Sequence, residues 1–163
     1  MNYIFGVVLV AIVVAIGFFA YGPQRVWERV TGPSDLGELD LAKVTRNASP
    51  NDALACSDTL CADQKVDLVL PAYDSAPNDL ITRLENSARV LDRSVTRVDD
   101  ESEPTKARFV TLSPTMKFPD TIWAEAVELG GGKSGLRVYA RAKLGYSDLG
   151  ANLKRIQAWT AEL

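Results

Sequence analysis

The sequence predicts an α+β fold: an antiparallel β-sheet with two helices packed on one face, preceded by a single N-terminal transmembrane helix. Three observations lead to this prediction. Residues 3–22 of the 163-residue chain form an uncharged apolar run. Residues 136–144 alternate strictly between apolar and larger polar side chains, as in a strand with one buried face. Most predicted strands follow one another through short turns, which favours antiparallel pairing and a two-layer arrangement.

The apolar run has the length that a helix needs to cross a bilayer. At about 1.5 Å per residue it would extend about 30 Å, the thickness of the hydrocarbon core. Tyr3, Tyr21 and Trp27 lie at its ends, where interfacial aromatic side chains are common. A cleaved secretory signal is the alternative, but its apolar core would be shorter and preceded by basic residues, which this run lacks. We therefore expect an uncleaved, single-pass anchor that contacts the lipid bilayer through residues 3–22.

Two features give opposite indications of the orientation in the membrane. Arg25 and Arg29 follow the apolar run, which by the positive-inside rule would leave the domain in the cytoplasm. Cys56 and Cys61 are the only cysteines, and such a close pair is typical of a small disulfide loop in an oxidising compartment. Two unlinked thiols, or a redox or metal site, are the alternatives. The disulfide interpretation predicts an inner-membrane protein whose domain faces the periplasm.

Composition excludes several function classes. The chain carries 18 basic and 21 acidic residues, a net charge of −3, whereas nucleic-acid binding depends on clustered positive charge. It contains no histidine, which excludes Ser-His-Asp and Cys-His triads and removes the usual zinc and haem ligands. We therefore expect no nucleic-acid partner, no metal, no cofactor and no catalytic residues.

Turn-forming residues divide the chain into three predicted parts. Gly32 and Pro33 end the helical region, so residues 1–31 are expected to form the transmembrane anchor and a juxtamembrane helix. Residues 32–64 are polar and irregular, and are expected to form an extended connector with the cysteine loop. Residues 65–163 then form the α+β domain.

Alternating apolar residues predict the strands of that domain. In the last of them, Arg137, Tyr139, Arg141 and Lys143 are expected to face water. A glycine-rich turn at residues 130–135 joins this strand to the preceding one. The predicted strands are residues 66–70, 95–98, 107–112, 121–129 and 136–144.

Helical spacing of apolar residues predicts two helices that cover the sheet. Ser75 and Ser147 are the expected N-caps, and Pro77 suits the first turn of the earlier helix. Arg155 is expected on the solvent-facing side of the later helix. The apolar stripes are Leu80, Leu84, Ala88 and Leu91 in the earlier helix and Leu149, Leu153, Ile156, either Trp159 or Thr160, and Leu163 in the later one.

Three segments together resemble a known family. They are NDALAC at residues 51–56, MKFPD at residues 116–120 and YARAKLGYSDLGAN at residues 139–152. In that order they resemble the bacterial family catalogued as domain of unknown function 1499, whose members have an early cysteine-containing loop, an F-P-D segment and a terminal R-x-G-x-x-D-L-G-x-N motif. The resemblance implies a membrane-tethered or exported domain with no established activity. Lys143 stands where the family often has arginine, and lysine does not provide bidentate recognition of an anion.

These motifs supply the candidate contacts for a ligand or partner. Cationic side chains beside a helix starting at Ser147 would form an anion site for a phosphate or carboxylate, although Asp148 would oppose the anion. The structural alternative is that Ser147 caps the helix, Asp148 interacts with its first turn and the basic residues form a solvated strand face. The candidate set is Lys117, Asp120, Arg141, Lys143, Gly145, Ser147, Asp148, Gly150 and Asn152.

Three function classes remain for a membrane-anchored domain of this kind. The first is a non-enzymatic accessory or binding domain that associates with an inner-membrane protein complex, and small residues in the apolar run would permit close helix packing. The second is a lipid or small-amphiphile binding protein of the cell envelope, with its ligand between the sheet and the helices. The third is an enzyme using carboxylates or lysine, for which no paired arrangement is evident. We expect the first class.

Overall fold

The computed structural model describes residues 2–57 and 60–163, with two helices preceding a six-stranded sheet. The N-terminal helices are α1 (Asn2–Tyr21) and α2 (Pro23–Thr31). The remaining elements are a short 3-10 helix (Leu41–Lys43), β1 (Asp52–Ser57), β2 (Leu68–Leu70), α3 (Pro77–Leu91), β3 (Thr96–Arg97), β4 (Lys106–Leu112), β5 (Pro119–Gly130), β6 (Lys133–Ala142) and α4 (Ala151–Thr160).

Helix α1 is long and apolar enough to cross a membrane. Its segment Tyr3–Tyr21 has a mean hydropathy of 2.8 and contains no fully buried residue. A signal sequence would share these properties. Gly22 has a φ of 100°, which interrupts the helix, and Pro23 then begins α2. The juxtamembrane helix is therefore a separate element and not a continuation of α1.

The sheet has the strand order β2-β1-β6-β5-β4-β3. Every neighbouring pair is antiparallel except β1 and β2, which are parallel, so the sheet is mixed and not wholly antiparallel as predicted. Residues 52–57, expected within the connector, form the interior strand β1. This strand is short and buried on both faces, so it lacks the alternation by which a half-exposed strand is recognised.

One face of the sheet is covered by α3 and α4, which confirms the predicted α+β arrangement. Leu80 and Leu84 of α3 and Ile156 of α4 are fully buried in a single cluster with the apolar residues of the sheet. The rings of Trp159 from α4 and Phe109 from β4 pack nearly perpendicular to each other, with centroids 5.9 Å apart. We call this the helix face of the sheet. The apolar stripes that predicted the two helices therefore contact this face, except for Leu91, which is 57% exposed, and Leu149, which precedes α4.

The opposite face is covered by the segment between α2 and β1. Tyr139 was expected to face water, but it is 1% exposed and packs in a second buried cluster with Leu41, Leu54 and Trp123. The Trp123 and Tyr139 rings stack at 5.7 Å, and Trp123 Nε1 donates to the carbonyl of Gly37 at 2.8 Å. Alternation correctly indicated which residues share a face but not that a distant segment covers it. We call this the connector face.

Partly buried polar contacts hold the connector on this face. Arg46 Nη2 lies 2.8 Å from Asp52 Oδ1 and 2.7 Å from Asp67 Oδ2, and Tyr139 donates its hydroxyl to Asp52 Oδ2 at 2.8 Å. Burial opposes ionisation of Asp52, but bonds from Arg46, the Asn47 N–H and Tyr139 hold its pKa below the usual value. Burial and the Asp52 carboxylate raise the pKa of Tyr139. These groups satisfy one another, so the connector is a folded part of the domain.

A disulfide joins Cys56 at the end of β1 to Cys61, in agreement with the disulfide interpretation of their spacing. Both residues are buried. The centre of the loop, residues 58 and 59, lies outside the described residues. Within the remaining chain, the bond connects the β1 strand directly to the segment that leads to β2.

Candidate functional site

Four segments meet where α2 contacts the domain, at the end of the sheet where β4 and β6 finish and β1 and β5 begin. We call this region the α1-proximal end. The strand directions follow from the antiparallel pairing of these four strands with one another. Its segments are residues 47–51, 92–95, 113–118 and 143–150.

Helix α2 is attached to this end through Trp27. The indole Nε1 donates to the carbonyl of Met116 at 2.6 Å, and the ring lies 5.1 Å from that of Phe118. Phe18 of α1 packs against the same indole at 5.6 Å. A second contact is the hydrogen bond from Lys143 Nζ to the carbonyl of Pro33. Trp27, expected at a membrane interface, therefore also links α1 to the domain.

A buried ion pair connects β5 to α4. Asp120 is 7% exposed, and Arg155 Nη1 donates to its Oδ2 at 3.0 Å. The same guanidinium donates to Asn152 Oδ1 and approaches Asp92 at 3.8 Å. Burial raises the pKa of Asp120, and the Arg155 charge opposes that rise. Arg155 was expected to face solvent, but the buried carboxylate holds it on the helix face.

The amino end of α4 differs from the predicted anion site. The helix begins at Ala151 and not at Ser147, because Leu149 and Gly150 have φ values of 55° and 77° in the left-handed region. The Asp148 carboxylate accepts the N–H groups of Gly150 and Asn152, each at 2.9 Å. An incoming anion would have to displace this carboxylate from the donors it would use.

The candidate residues thus lie at one end of the domain but have different environments. Asp120, Asp148 and Asn152 belong to the polar network on the helix face. Arg141 lies on the connector face, where its Nη2 donates to Asn47 Oδ1 at 3.3 Å. The structure does not gather these side chains around a single pocket.

The other candidates shape the backbone or point outward. Ser147 accepts the N–H of Leu149 at 3.1 Å, and Gly150 is the N-cap of α4. Gly145 has a φ of 92°, and its carbonyl accepts Asn51 Nδ2 at 2.7 Å. The structure places Lys117 in the 113–118 turn with a φ of 55°, while Lys143 contacts Pro33 as described above. Asn51 was missed as a positioning residue, although the NDALAC motif begins with it.

The loop 143–150 exposes two large side chains that the sequence did not single out as surface contacts. Leu149 was expected in the apolar stripe of the last helix, but it precedes α4 and is 88% exposed. Tyr146 is 76% exposed. Both side chains therefore lie on the surface of this loop, with Leu149 held in position by the hydrogen bond of its N–H group to Ser147.

An open groove of about 620 Å³ lies beside α2 on the connector face. Val98, Val110 and Leu112 form its apolar floor, and Thr96 of the edge strand β3 and Ser34 lie along it. At the opposite end of the domain, a cleft of about 390 Å³ is lined by Lys106, Arg108, several apolar side chains and six acidic residues: Glu38, Asp40, Asp99, Asp100, Glu103 and Glu125. Within residues 2–57 and 60–163, no group of three or more acidic or cysteine side chains is placed to hold a metal ion.

Comparison with known proteins gives one match. A family model described as "Protein of unknown function (DUF1499)" matches residues 44–163. The match covers the whole sheet, α3, α4 and the last part of the connector, whereas α1 and α2 lie outside it. No curated protein and no solved structure matches the chain.

Proposed function

The chain belongs to the DUF1499 family, and we propose that it is a membrane-anchored, non-enzymatic accessory domain that faces the periplasm and associates with an inner-membrane protein complex. The observation that carries the proposal is the attachment of α2 to the domain through Trp27 and Phe118. A flexible linker would let the domain take many orientations relative to the membrane. Here the segment that follows α1 is folded onto the domain, so the domain has a defined orientation beside the membrane and suits a partner in the same membrane.

The disulfide supports a periplasmic location for the domain. Disulfides persist in oxidising compartments, and the Cys56–Cys61 bond is buried within the fold. The two arginines that follow α1 favour the opposite orientation, but two charges are a weak bias. Two reporters fused separately to the C-terminus test this part. Alkaline phosphatase should be active, and green fluorescent protein should not fluoresce. The reverse pattern would place the domain in the cytoplasm.

The groove beside α2 is the proposed docking site for the partner. Its apolar floor of Val98, Val110 and Leu112 lies next to the segment that leaves the membrane. A partner segment emerging from the same bilayer would reach this groove without crossing the domain. The edge strand β3 has only two residues, so the partner would contact side chains of the groove more than the strand edge.

Two features count against the other function classes. A ligand between the sheet and the helices would need space that the fully buried side chains of Phe109, Ile156 and Trp159 fill. An enzyme that uses carboxylates would need one free to transfer a proton, whereas Asp120, the most buried carboxylate of the candidate set, is bonded to Arg155.

Copurification of the full chain from native membranes in mild detergent tests the accessory function. Wild-type protein should retain an inner-membrane protein in fixed stoichiometry. Thr96→Arg, at an exposed position beside the groove, should reduce that recovery because the long cationic side chain blocks the apolar floor. Thr82→Arg, at an exposed position of α3, is the matched control and should have no effect. Bound lipid without any stoichiometric protein would contradict the accessory function, and equal recovery with both variants would contradict the groove as its site.

A further inference from the structure

We propose that the α1-proximal end of the domain is itself a lipid-binding surface, on which the loop 143–150 inserts Tyr146 and Leu149 into the interface of the bilayer that α1 spans. The inference rests on the proposed membrane anchor. It adds a second, peripheral contact between the folded domain and the lipid, independent of any partner protein.

The distribution of exposed apolar side chains supports this surface. Among the described residues after α2, five large apolar side chains are more than half exposed: Val69, Val90, Leu91, Tyr146 and Leu149. Tyr146 and Leu149 lie in the 143–150 loop of the α1-proximal end, and Val90 and Leu91 lie in the last turn of α3, directly before its 92–95 segment. Exposed apolar groups concentrated at one end, while the rest of the surface has few, indicate a contact surface.

The loop holds its apolar side chains outward by hydrogen bonds. The Leu149 N–H donates to Ser147 Oγ at 3.1 Å, and the next N–H, of Gly150, donates to Asp148. At the other end of the loop, Asn51 Nδ2 donates a hydrogen bond to the Gly145 carbonyl. Leu149 is thereby kept at a φ of 55°, which leucine rarely adopts, and is 88% exposed. The contact is preorganised by these bonds, and insertion would require no refolding of the loop.

The position of Trp27 brings this end of the domain close to the bilayer. Phe18 lies in the last turn of α1 and contacts Trp27, which in turn contacts Phe118 of the 113–118 turn. The adjoining loop begins at Lys143, whose backbone N–H donates to the carbonyl of Pro119 at 3.0 Å. The loop is therefore near the level at which the apolar helix ends. Tyrosine side chains are enriched at that depth in membrane proteins.

The charge distribution favours the same orientation toward anionic lipid. The exposed cations at or beside this end are Arg25, Arg29 and Arg93, and Lys117 is partly exposed. Four carboxylates lie near these cations: Asp92 and Asp120 lie 3.8 Å and 3.0 Å from Arg155, whereas Glu28 and Asp148 accept hydrogen bonds from uncharged donors. The cations of this end therefore outnumber the carboxylates that lack a cationic partner. The acidic turn at residues 99–103 lies at the opposite end. Anionic headgroups would attract the α1-proximal end and repel the far end.

Spin-label depth measurements on the full chain in phosphatidylethanolamine/phosphatidylglycerol vesicles test the proposal. Single cysteines would replace Leu149 and Tyr146, with Ile12→Cys as a probe within α1 and Leu129→Cys as a control at the far end of the β5–β6 hairpin. The native cysteines stay unlabelled because they are joined in the disulfide. Thermal unfolding of each variant would check that it is folded.

The measured quantity is the ratio of collisions with oxygen to collisions with a water-soluble nickel complex, which rises with depth in the bilayer. We expect this ratio at positions 149 and 146 to exceed the ratio at position 129. It should be lower than the ratio at position 12. Labels at 149 and 146 that match the label at 129, while the label at 12 lies in lipid, would overturn this inference and leave the anchor intact. A water-exposed label at 12 would overturn the proposed anchor, and this inference with it. Shielding of position 149 only in native membranes, and not in lipid vesicles, would assign the surface to a protein and also overturn the inference.

Discussion

Replacing Arg155 with methionine should destabilise the folded domain by about 3–5 kcal/mol at pH 7, because it leaves a buried carboxylate without its partner. The side chains of Arg155 and Asp120 are only 14% and 10% exposed, and the two groups are 3.0 Å apart. Methionine preserves much of the aliphatic volume, so the loss reports the charge and the hydrogen bonds and not a cavity. For a domain of this size, the change corresponds to a fall in Tm of about 10–20 °C.

The destabilisation should shrink as the pH falls. Burial raises the pKa of Asp120 in the folded protein, and Arg155 opposes that rise, so removing Arg155 raises the folded-state pKa further. At pH values above this raised pKa, the folded variant contains a charged Asp120 without its partner, which costs free energy relative to the unfolded chain. This penalty declines by about 1.4 kcal/mol per pH unit between the folded-state pKa and the unfolded value of about 3.9. Acidification toward pH 4 should therefore restore part of the stability of the variant relative to wild type.

Thermal unfolding of the full chain in detergent micelles, followed by tryptophan fluorescence at several pH values, measures both effects. Lys154→Met, at the exposed neighbouring position, is the control and should change stability by less than about 0.5 kcal/mol. Asp120→Asn combined with Arg155→Met should be more stable at pH 7 than Arg155→Met alone. A loss no larger than that of the control, or a loss independent of pH, would refute the assignment of Asp120 as a buried charge held by Arg155.

Two further changes test the disulfide and the core. Reducing the Cys56–Cys61 bond should lower the free energy of unfolding by about 2 kcal/mol, because the bond constrains only a short loop of the unfolded chain, with a sequence separation of 5. Trp159→Ala should lower it by about 3–5 kcal/mol, because the side chain is 1% exposed and packs on Phe109. Both losses are measured by the same fluorescence-monitored unfolding, with far-ultraviolet circular dichroism as a second probe for the tryptophan variant.

The controls for these two changes are available in the chain. Cys56→Ala combined with Cys61→Ala should make stability insensitive to the reductant, and a remaining response would show that the reductant acts elsewhere. Gln157→Ala replaces an exposed residue of the same helix and should change stability by less than about 0.5 kcal/mol. A Trp159→Ala variant as stable as this control would contradict the close packing of α4 on the sheet.

Part of the fold could be predicted because its signals are local. The β5–β6 hairpin has a glycine-rich turn between two alternating strands, and both strands form within a few residues of the predicted bounds. The apolar stripes of α3 and α4 have helical spacing, and all their members except Leu91 and Leu149 pack in or against the core. Strand β1 has no such signal, because apolar and polar side chains do not alternate in a short strand that is buried on both faces.

The segments that supply the candidate residues lie close together, whereas the interactions of these residues could not be predicted. The MKFPD and YARAKLGYSDLGAN segments do meet at one end of the domain, as β5 begins and β6 ends there. Arg155 lies outside both segments and reaches Asp120 only because α4 packs across the strand. The left-handed backbone at Leu149, which moves the start of α4 and exposes this side chain, was also not evident from helical spacing.

By itself, the sequence determined the features that depend on neighbours along the chain: an apolar N-terminal helix, strand and helix periodicity, and a cysteine pair close enough to form a small loop. Tertiary structure alone decided that the connector covers the second face of the sheet, that Trp27 joins α2 to the 113–118 turn, and that Arg155 holds Asp120. The physical reason is that periodicity specifies which side of an element must be buried. What buries it depends on contacts between residues that are far apart in the chain.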